Sequence, residues 1–413
     1  MRIAIIGAGF TGLTAALRLS QKGHQITVFE KEEKAGGLAG GFKETDWQWP
    51  LDFFYRHLFS NDQVAKKLLK EIDTEISWSK PKTSVFKKGG IYRFDSPLSI
   101  LSFPYFSLLD KIRTGLVSLY LKTINHWQPL EKITASSWLP KFYGKRVYQI
   151  IWLPLLKGKF GSWAEKVPMA WFWARIKKRT TCLGYPQGGF QSLANKLVEI
   201  IKKNGGQFYF QKEIKSFQEL EGKFDRIIFT TPVEIFLRIM KGELPQDYRQ
   251  KLSQFKMSGV LNLILVLKKN FFKDGTYWLN INEENFPFVG IVEHTNFINK
   301  SCYGHQPILY VLDYYPQNHP FFKTDKEAVL KEFLPFLPKI NPDFKENLIK
   351  KSYLFSNLYA QPLIPLNYST IIPSFKTPVK NVFLACMQQV YPWDRGLNYA
   401  IEEGEKIAEL VSQ

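Results

Sequence analysis

The first 41 residues constrain the fold of this chain more than any other segment. An apolar run of strand length, Arg2–Ile6, is followed by a glycine-rich turn, a helical stretch from Leu13 to Gln21 and a second strand-like run, Gln25–Phe29. The three glycines of the turn, at G-x-G-x-x-G spacing, are Gly7, Gly9 and Gly12. A glycine pattern that follows a strand and opens a helix is typical of a dinucleotide-binding βαβ unit.

Each glycine has a physical reason in such a unit. Gly7 permits the tight turn, Gly9 lets the backbone approach a pyrophosphate, and Gly12 lets the helix pack closely on the strand. The helix N-terminus then offers free N–H groups and the positive end of a dipole to the phosphates. Glu30 ends the second strand, where a carboxylate accepts a hydrogen bond from a ribose 2′-hydroxyl. This acid favours an unphosphorylated ribose, so the unit is predicted to bind FAD or NAD rather than NADP.

Two glycine pairs after Glu30 bear on the choice between FAD and NAD. They are Gly36-Gly37 and Gly40-Gly41. This stretch resembles the extended FAD motif of the amine oxidase / phytoene desaturase / protoporphyrinogen oxidase superfamily. In that superfamily the second glycine pair gives another close backbone approach to the FAD diphosphate. The resemblance implies FAD, and the alternatives are an NAD-binding unit or one that has lost its ligand.

The C-terminal segment resembles the end of the same superfamily. Asn381–Cys386 is a buried-strand run, a loop follows from residue 387 to residue 395, and a helix begins at Gly396-Leu397-Asn398. In the superfamily this helix points at the C2 carbonyl and N1 of the flavin. Its positive N-terminus stabilises the negative charge of the reduced ring. An ordinary C-terminal αβ unit is the alternative interpretation.

The middle of the chain resembles the superfamily's return to the FAD domain. A helix over residues 191–203 and a strand over residues 207–210 lead to Ile214, the position whose backbone meets the adenine. The run from Phe224 to Pro232, which includes Thr230, matches the strand that ends in a turn of two small residues and a proline. We therefore expect an α/β protein with a Rossmann-like, doubly wound FAD-binding domain in three pieces. That domain comprises residues 1–60, 184–234 and 378–413, and residues 61–183 and 235–377 form a discontinuous mixed α+β substrate-binding domain.

The resemblance implies a set of cofactor-binding residues and no metal site. The predicted FAD contacts are Gly7, Gly9, Phe10, Thr11, Gly12, Glu30, Lys31, Gly36, Gly37, Leu38, Ile214, Thr230, Asp394, Gly396, Leu397 and Asn398. The cysteines, Cys182, Cys302 and Cys386, are far apart and lack metal-ligand spacing. They are expected to be reduced thiols in a cytoplasmic protein.

The segment Tyr55-Arg56-His57 is the first candidate for the catalytic side. In the superfamily the chain after the second glycine pair runs past the flavin, so these residues are expected near the ring or the mouth of the substrate cavity. The stretch YRHLF also resembles the histidine-bearing stretch of UDP-galactopyranose mutases, which share the FAD fold. A satisfied buried histidine is the alternative for His57.

Asn262 is the second candidate. Amine oxidases place a lysine near flavin N5 on the strand that here spans Val260–Leu267, and this strand contains no lysine. The matching position is Asn262. Its identity argues against classical amine oxidation and favours desaturation of an apolar substrate.

The aromatic content and the net charge indicate which kinds of partner the protein could bind. Aromatic residues make up 15% of the chain and the net charge is +19. From Pro97 to Trp173 the pattern is helical, aromatic and basic, which fits either a cap packed inward or a membrane-resting face that admits a lipophilic substrate. The basic balance fits a solvated lysine-rich surface or attraction to an anionic membrane, and no nucleic-acid-binding module is recognised.

No apolar run reaches the length of about 18 residues that a transmembrane helix needs, and the early strand leaves no room for a signal peptide. The sequence thus predicts a soluble or peripheral protein of unknown oligomeric state. The leading hypothesis is an FAD-dependent oxidoreductase of the oxidase/desaturase type. It would transfer hydride from a lipophilic small molecule, such as a polyisoprenoid or tetrapyrrole, to flavin N5. The alternatives are a UDP-galactopyranose-mutase-like flavin isomerase, an amine oxidase and a flavin-free structural relative.

Overall fold

The computed structural model describes all residues from 1 to 413. The strands are β1 Arg2–Ile6, β2 Gln25–Phe29, β3 Gly41–Phe42, β4 Leu51–Asp52, β5 Leu58–Phe59, β6 Ile76–Ser79, β7 Lys82–Lys87, β8 Gly90–Arg93, β9 Leu183–Pro186, β10 Gln207–Tyr209, β11 Arg226–Phe229, β12 Met257–Leu267, β13 Thr276–Ile281, β14 Gly290–Glu293, β15 Ile308–Pro316, β16 Ile349–Pro362 and β17 Val382–Leu384. The helices are α1 Phe10–Gln21, α2 Gln63–Glu71, α3 Pro97–Leu101, α4 Leu108–Thr123, α5 Ala135–Phe142, α6 Lys145–Val147, α7 Leu153–Phe160, α8 Met169–Lys178, α9 Gly189–Lys203, α10 Val233–Ile239, α11 Gln246–Leu252, α12 Lys326–Phe333, α13 Leu337–Ile340 and α14 Leu397–Ser412.

A five-stranded parallel sheet, in the order β10-β2-β1-β11-β17, carries the N-terminal glycine turn. Its central strand β1 is apolar and fully buried at Ile3, Ala4 and Ile5, as expected of a parallel strand that is covered on both faces. Helices α1 and α14 pack tightly, because a Cβ on Gly404 would lie 2.6 Å from the carbonyl oxygen of Thr11. The first and last segments of the chain thus meet at one face of this sheet.

A second, mixed sheet has seven strands in the order β16-β12-β15-β14-β13-β7-β8. Its neighbours are antiparallel except for the parallel pair β13 and β7. Strand β12 is buried along its whole length and runs through the middle of three core-forming strands. A parallel sheet with helices beside a mixed second sheet confirms the predicted α/β fold class. The exact domain boundaries stay a prediction.

The helical region from α3 to α8 has two contrasting surfaces. Its inner side is packed, since Tyr143, Trp171, Phe172 and Trp173 are almost completely inaccessible. Its outer side, which we call the apolar face, exposes large hydrophobic side chains of α3 and α4: Leu98, Leu101, Leu108, Leu109, Ile112, Leu116, Leu119 and Tyr120. None of the helices is both long enough and apolar enough to cross a membrane.

Candidate functional site

The turn between β1 and α1 is closed as tightly as the glycine spacing predicts. Gly7 has a φ of +105°, and a Cβ on Gly12 would lie 2.1 Å from the carbonyl oxygen of Gly7. The hydroxyl of Thr230 donates to the carbonyl oxygens of Ile6 and Gly7, both at 3.0 Å. Thr230, a predicted FAD contact, thus joins strand β11 to the glycine turn.

Gly9 leaves the space that a phosphate group would need. A Cβ built on Gly9 would meet no atom within 4 Å, and no side chain caps the N-terminus of α1, which begins at Phe10. Uncapped N–H groups at the positive end of a helix bind anions. Phe10 itself is buried in the core beneath this helix end, so its backbone rather than its ring faces the open side of the turn.

The second glycine pair packs against the first turn. Gly36 and Gly37 have φ values of +127° and +56°, and the N–H of Gly36 donates to the carbonyl oxygen of Ala8 at 2.9 Å. A Cβ on Gly37 would lie 3.3 Å from the Cα of Gly9. The two glycine segments therefore form one cradle, although they are far apart in sequence.

Glu30 is fixed at the rim of this cradle. Its carboxylate accepts N–H bonds from Ala8 at 2.8 Å and from Glu32 at 3.0 Å, and the residue is only 8% exposed. A carboxylate has about four lone-pair sites, so two remain for ribose hydroxyls. Lys31, by contrast, is exposed and pairs with Glu32 at 2.9 Å. The structure places Glu30, but not the Lys31 side chain, in a fixed position.

The remaining predicted contacts lie on the elements around the cradle. Ile214 is buried in the loop that links β10 to β11. At the C-terminal end, Gly396 is exposed and precedes Leu397, the first residue of α14, while Asn398 accepts an N–H bond from Ala65 at 3.0 Å. The Asn398 side chain thus ties α14 to α2 through its oxygen. The tight glycines, the open space at Gly9 and the two free helix ends fit FAD.

Arg56 is in contact with the second glycine segment of the cradle. Its guanidinium donates to the carbonyl oxygen of Leu38 and lies 5.7 Å from the ring centre of Phe190, and its Nε has no partner. Nearby, Tyr185 donates to the carboxylate of Asp52 at 2.8 Å. Burial, only partly offset by the charge of Arg56, raises the pKa of Asp52 to about 7. Arg56 therefore positions Leu38, a predicted FAD contact.

Tyr55 and His57 are half-buried among aromatic side chains. Burial raises the pKa of Tyr55 well above its ordinary value. The Tyr55 ring meets Trp278 edge-on at 4.3 Å, and Nδ1 of His57 lies 3.5 Å from the hydroxyl of Tyr277. Burial, followed by the charges of Arg179, Arg175 and Arg56, lowers the pKa of His57 to about 3. His57 is thus a neutral imidazole in an aromatic wall.

Asn262 holds this wall in place. It lies on β12 with 1% exposure, and its Nδ2 donates to the carbonyl oxygen of Phe53 at 2.6 Å. Its Oδ1 is buried without a partner. The structure therefore connects Asn262 directly to the segment that carries Tyr55, Arg56 and His57.

A group of charged side chains that the sequence did not single out as a site lies at and next to Asp394. We call four cations the cationic cluster: Lys159 and Arg175, which contact Asp394, its chain neighbour Arg395, and Arg179, which follows Arg175 by four residues. Lys159 contacts the Asp394 carboxylate at 2.5 Å and Arg175 contacts it at 3.7 Å. Arg395 donates to the side-chain oxygen of Gln361 at 3.0 Å and to the hydroxyl of Tyr314 at 2.8 Å. Two helices of the aromatic region, α7 and α8, thus meet the loop that precedes α14.

Asp394 is a predicted FAD contact, which stays a prediction, and its carboxylate has protein partners. Besides the two cations, it accepts an N–H bond from the Trp171 indole at 3.2 Å. Burial acts to raise its pKa, but the charges of Lys159, Arg395 and Arg175 together outweigh burial and lower that pKa to about 2. Burial lowers the pKa of Lys159, and its contact with Asp394 opposes that shift. The spacing of Arg175 and Arg179, one helical turn apart, was the available sequence signal.

Comparison with known proteins assigns the family. The family model described as flavin containing amine oxidoreductase matches residues 10–412. A 4,4′-diapophytoene desaturase of Staphylococcus haemolyticus is 59% identical over 51 residues, which are 12% of this chain and 10% of that protein. A 1-hydroxycarotenoid 3,4-desaturase of a Flavobacterium species is 24% identical over 255 residues, 53% of this chain and 51% of that protein. These matches span at most about half the length of the curated relatives.

Among solved structures, a reduced UDP-galactopyranose mutase superposes with a TM-score of 0.74 at 16% identity, over 100% of this chain and 96% of that chain. At that identity the likeness shows a shared fold. The family match confirms the resemblance that the glycine pairs and the C-terminal helix indicated, and with it FAD as the cofactor. The chain belongs to the family of flavin-containing amine oxidoreductases.

Proposed function

We propose that this protein is an FAD-dependent oxidoreductase of the oxidase/desaturase type that acts on a lipophilic substrate rather than on an amine. When bound, FAD supplies the chemistry by accepting a hydrogen together with two electrons from a substrate carbon, and the adjacent hydrogen leaves as a proton so that a double bond forms. The electrons then leave the protein to a separate acceptor such as oxygen or a quinone. The chain's own residues bind and orient the substrate and exclude water.

The positive charge around His57 is the observation that carries this proposal. Besides burial, the charges of Arg179, Arg175 and Arg56 each lower the pKa of His57. An amine substrate is a cation at neutral pH and would be repelled by these guanidinium groups. The lack of a lysine on β12 supports the same conclusion. A neutral or anionic substrate suits these surroundings better than an amine.

The wall itself is suited to an apolar chain. Tyr55 and Trp278 meet at 4.3 Å, and His57 lies edge-on to Phe59 at 5.1 Å. With its pKa lowered to about 3, His57 stays uncharged at neutral pH and is a weak base. Its proposed role is to orient the reacting carbon and to form a hydrogen bond with Tyr277. Asn262 would keep this wall rigid through its bond to Phe53.

We further propose that the apolar face rests on an anionic bilayer, from which such a substrate is drawn. On α4 this face includes Leu108, at 70% exposure, and Leu116, at 63%. The exposed basic residues next to it are Lys122 on α4 and Lys141, Lys145 and Arg146 beside α5 and α6. Apolar side chains flanked by cations are the pattern of an interfacial helix on anionic lipid.

Vesicle flotation tests the membrane proposal. Replacement of Leu108, Ile112 and Leu116 by serine is expected to lower binding to phosphatidylglycerol vesicles more than tenfold, because each buried leucine contributes about 1.5–3 kcal/mol. Leu358→Ser and Leu366→Ser, each at an exposed leucine outside the face, serve as matched controls. Equal flotation of the triple variant and the controls would refute the proposed orientation.

Anaerobic spectroscopy tests the redox proposal. We expect the oxidised flavin bands to bleach when the protein is mixed with a lipid extract of its host, and to stay unchanged with putrescine or other simple amines. Analysis of the recovered lipid should show a product two mass units lighter per double bond. Bleaching by amines alone would contradict the proposal.

A nucleotide-sugar mutase is the second candidate function. The cationic cluster favours it, since arginine groups suit a diphosphate, and the fold is shared with UDP-galactopyranose mutase. This candidate predicts that UDP-galactose binds only after the flavin has been reduced with dithionite. Its conversion to the furanose form without net flavin oxidation would establish the mutase, and absence of UDP binding in both redox states would remove it.

A further inference from the structure

The cationic cluster carries more charge than the protein neutralises. Asp394 is the carboxylate in contact with it, through Lys159 and Arg175. The charge of Asp95 also reaches Arg179, but that carboxylate is already paired with Arg93 at 2.9 Å. The side chains of Lys159 and Arg175 are 13% and 19% exposed, and buried cations that outnumber their counter-ions are unfavourable. The excess indicates that an anion belongs at this place.

We propose that Arg175, Arg179 and Arg395, with Lys159, bind a phosphate or diphosphate group of the substrate. This inference rests on the proposed function, because it places that group at the site where oxidation occurs. It narrows the substrate class to an amphiphile with an apolar chain and a phosphorylated head.

Three of the four cations are held in position by the protein. The Trp171 ring has Lys159 at 5.0 Å and Arg175 at 5.9 Å from its centre, and the indole is itself fully buried. Arg395 is fixed by its bonds to Gln361 and Tyr314. A site whose donors are already oriented loses little conformational entropy when it binds.

Arg179 differs from the other three. It follows the last residue of α8 and its side chain makes no hydrogen bond or ion pair within the protein, although the side chain is accessible. Desolvation, followed by the charge of Arg175 four residues earlier, lowers its pKa to about 10. Arg179 is thus an unpaired cation available to a ligand.

The number and type of cations favour phosphate over a single carboxylate. A guanidinium is a planar fork that binds two oxygens of one anion, and three such groups match the several oxygens of a phosphate or diphosphate. A monocarboxylate would neutralise one charge and leave the others unpaired. The neighbouring wall of Tyr55 and Trp278 provides apolar surface for a hydrocarbon chain.

Titration of the FAD-loaded protein with inorganic pyrophosphate tests the inference without requiring turnover. We expect saturable binding by calorimetry and a shift in the flavin absorption, with affinity reduced at least tenfold in Arg179→Ala and restored in part by Arg179→Lys. Arg179→Ala should fold normally because its side chain has no protein partner, and circular dichroism checks this. Arg238→Ala, at an exposed arginine paired with Glu213, is the matched control.

The results distinguish a phosphorylated lipid from a nucleotide as the ligand of the cationic cluster. Farnesyl diphosphate that binds at least tenfold more tightly than pyrophosphate would support the phosphorylated amphiphile. Tighter binding of UDP than of farnesyl diphosphate would overturn it, as would equal pyrophosphate affinity in Arg179→Ala and the parent protein. Loss of FAD from Arg179→Ala would also overturn it, since the cluster would then serve the cofactor. If pyrophosphate binds as expected but no lipid bleaches the flavin, the proposed redox function is refuted and the anion site is not.

Discussion

The nucleotide cradle and the cationic cluster recognise their ligands in opposite ways. The cradle consists of backbone groups, because glycines stand where a side chain would interfere. The space beside Gly9 is empty, and a Cβ on Gly12 would lie 2.1 Å from a carbonyl oxygen. The cluster uses long charged side chains from α7, α8 and the loop before α14, arranged around Asp394. Recognition by the backbone requires a local glycine motif, which can be read from the sequence. Recognition by side chains depends on which distant segments the fold brings together.

The largest effect is expected from filling the cradle. In Gly12→Val the new Cβ would overlap the carbonyl oxygen of Gly7, so the turn cannot close. We expect this variant to purify with less than about a tenth of the FAD of the parent protein, because the diphosphate loses its backbone donors. Cofactor released by heat denaturation and quantified by chromatography measures this.

Gly115→Ala provides the control for that variant. Gly115 lies in α4, and a Cβ there would meet no atom within 4 Å, so the added methyl group should leave the FAD content unchanged. Full FAD occupancy in Gly12→Val would show that the diphosphate lies elsewhere, and that the cradle does not recognise FAD through its backbone.

A smaller effect is expected at Arg56, which contacts the cradle through Leu38. Arg56→Met removes the bond to the carbonyl oxygen of Leu38 while it keeps the length of the side chain. A hydrogen bond from a charged group contributes about 1.5–3 kcal/mol, so FAD affinity should fall about 10- to 100-fold. Fluorescence titration of the apoprotein with FAD measures the change. Unchanged FAD affinity with weakened pyrophosphate binding would place Arg56 in the cationic cluster instead.

The third prediction concerns the stability of the fold against acid rather than ligand binding. His294 is 1% exposed, its Nε2 lies 2.9 Å from the hydroxyl of Tyr303, and burial lowers its pKa to about 3. The unfolded chain takes up a proton near pH 6.5 and the folded protein does not, so this histidine reduces stability as pH falls from about 6.5 towards 3. The loss approaches about 1.4 kcal/mol per pH unit within that window.

His294→Gln should therefore flatten the pH dependence of the free energy of unfolding, measured by urea denaturation between pH 7 and pH 4. Asp52 acts in the opposite direction, because burial raises its pKa to about 7 and its contribution to stability is lost as pH rises towards 7. The comparison of variant with parent removes this contribution. Parallel curves for the two proteins would show that His294 does not resist protonation.

The tight turns of the cradle could be predicted from the sequence because their requirements are local, whereas its contacts with FAD stay predictions. Helix α1 nonetheless begins at Phe10 rather than Leu13, and α9 begins at Gly189 rather than Gln191. Glycine has a low helix propensity, but in both cases tertiary packing tolerates a glycine in the first turn. Propensity alone therefore placed both helix starts too late.

The cluster was not predictable in the same way. Lys159, Arg175 and Asp394 are far apart in sequence, and each is an unremarkable charge in its own segment. Only the packing of α7 and α8 against the loop before α14 brings them together. For the helical segment the sequence allowed two interpretations, a cap packed inward or a face resting on a membrane. In the structure this segment combines a packed inner side with an exposed apolar face.

The most direct test of the account is anaerobic flavin reduction by host lipids that have been separated into acidic and neutral fractions. We expect the acidic, phosphorylated fraction to bleach the flavin of the parent protein, and we expect the flavin of Arg179→Ala to be reduced at least tenfold more slowly while the variant retains its FAD. Bleaching by the neutral fraction alone, at the same rate in both proteins, would contradict it.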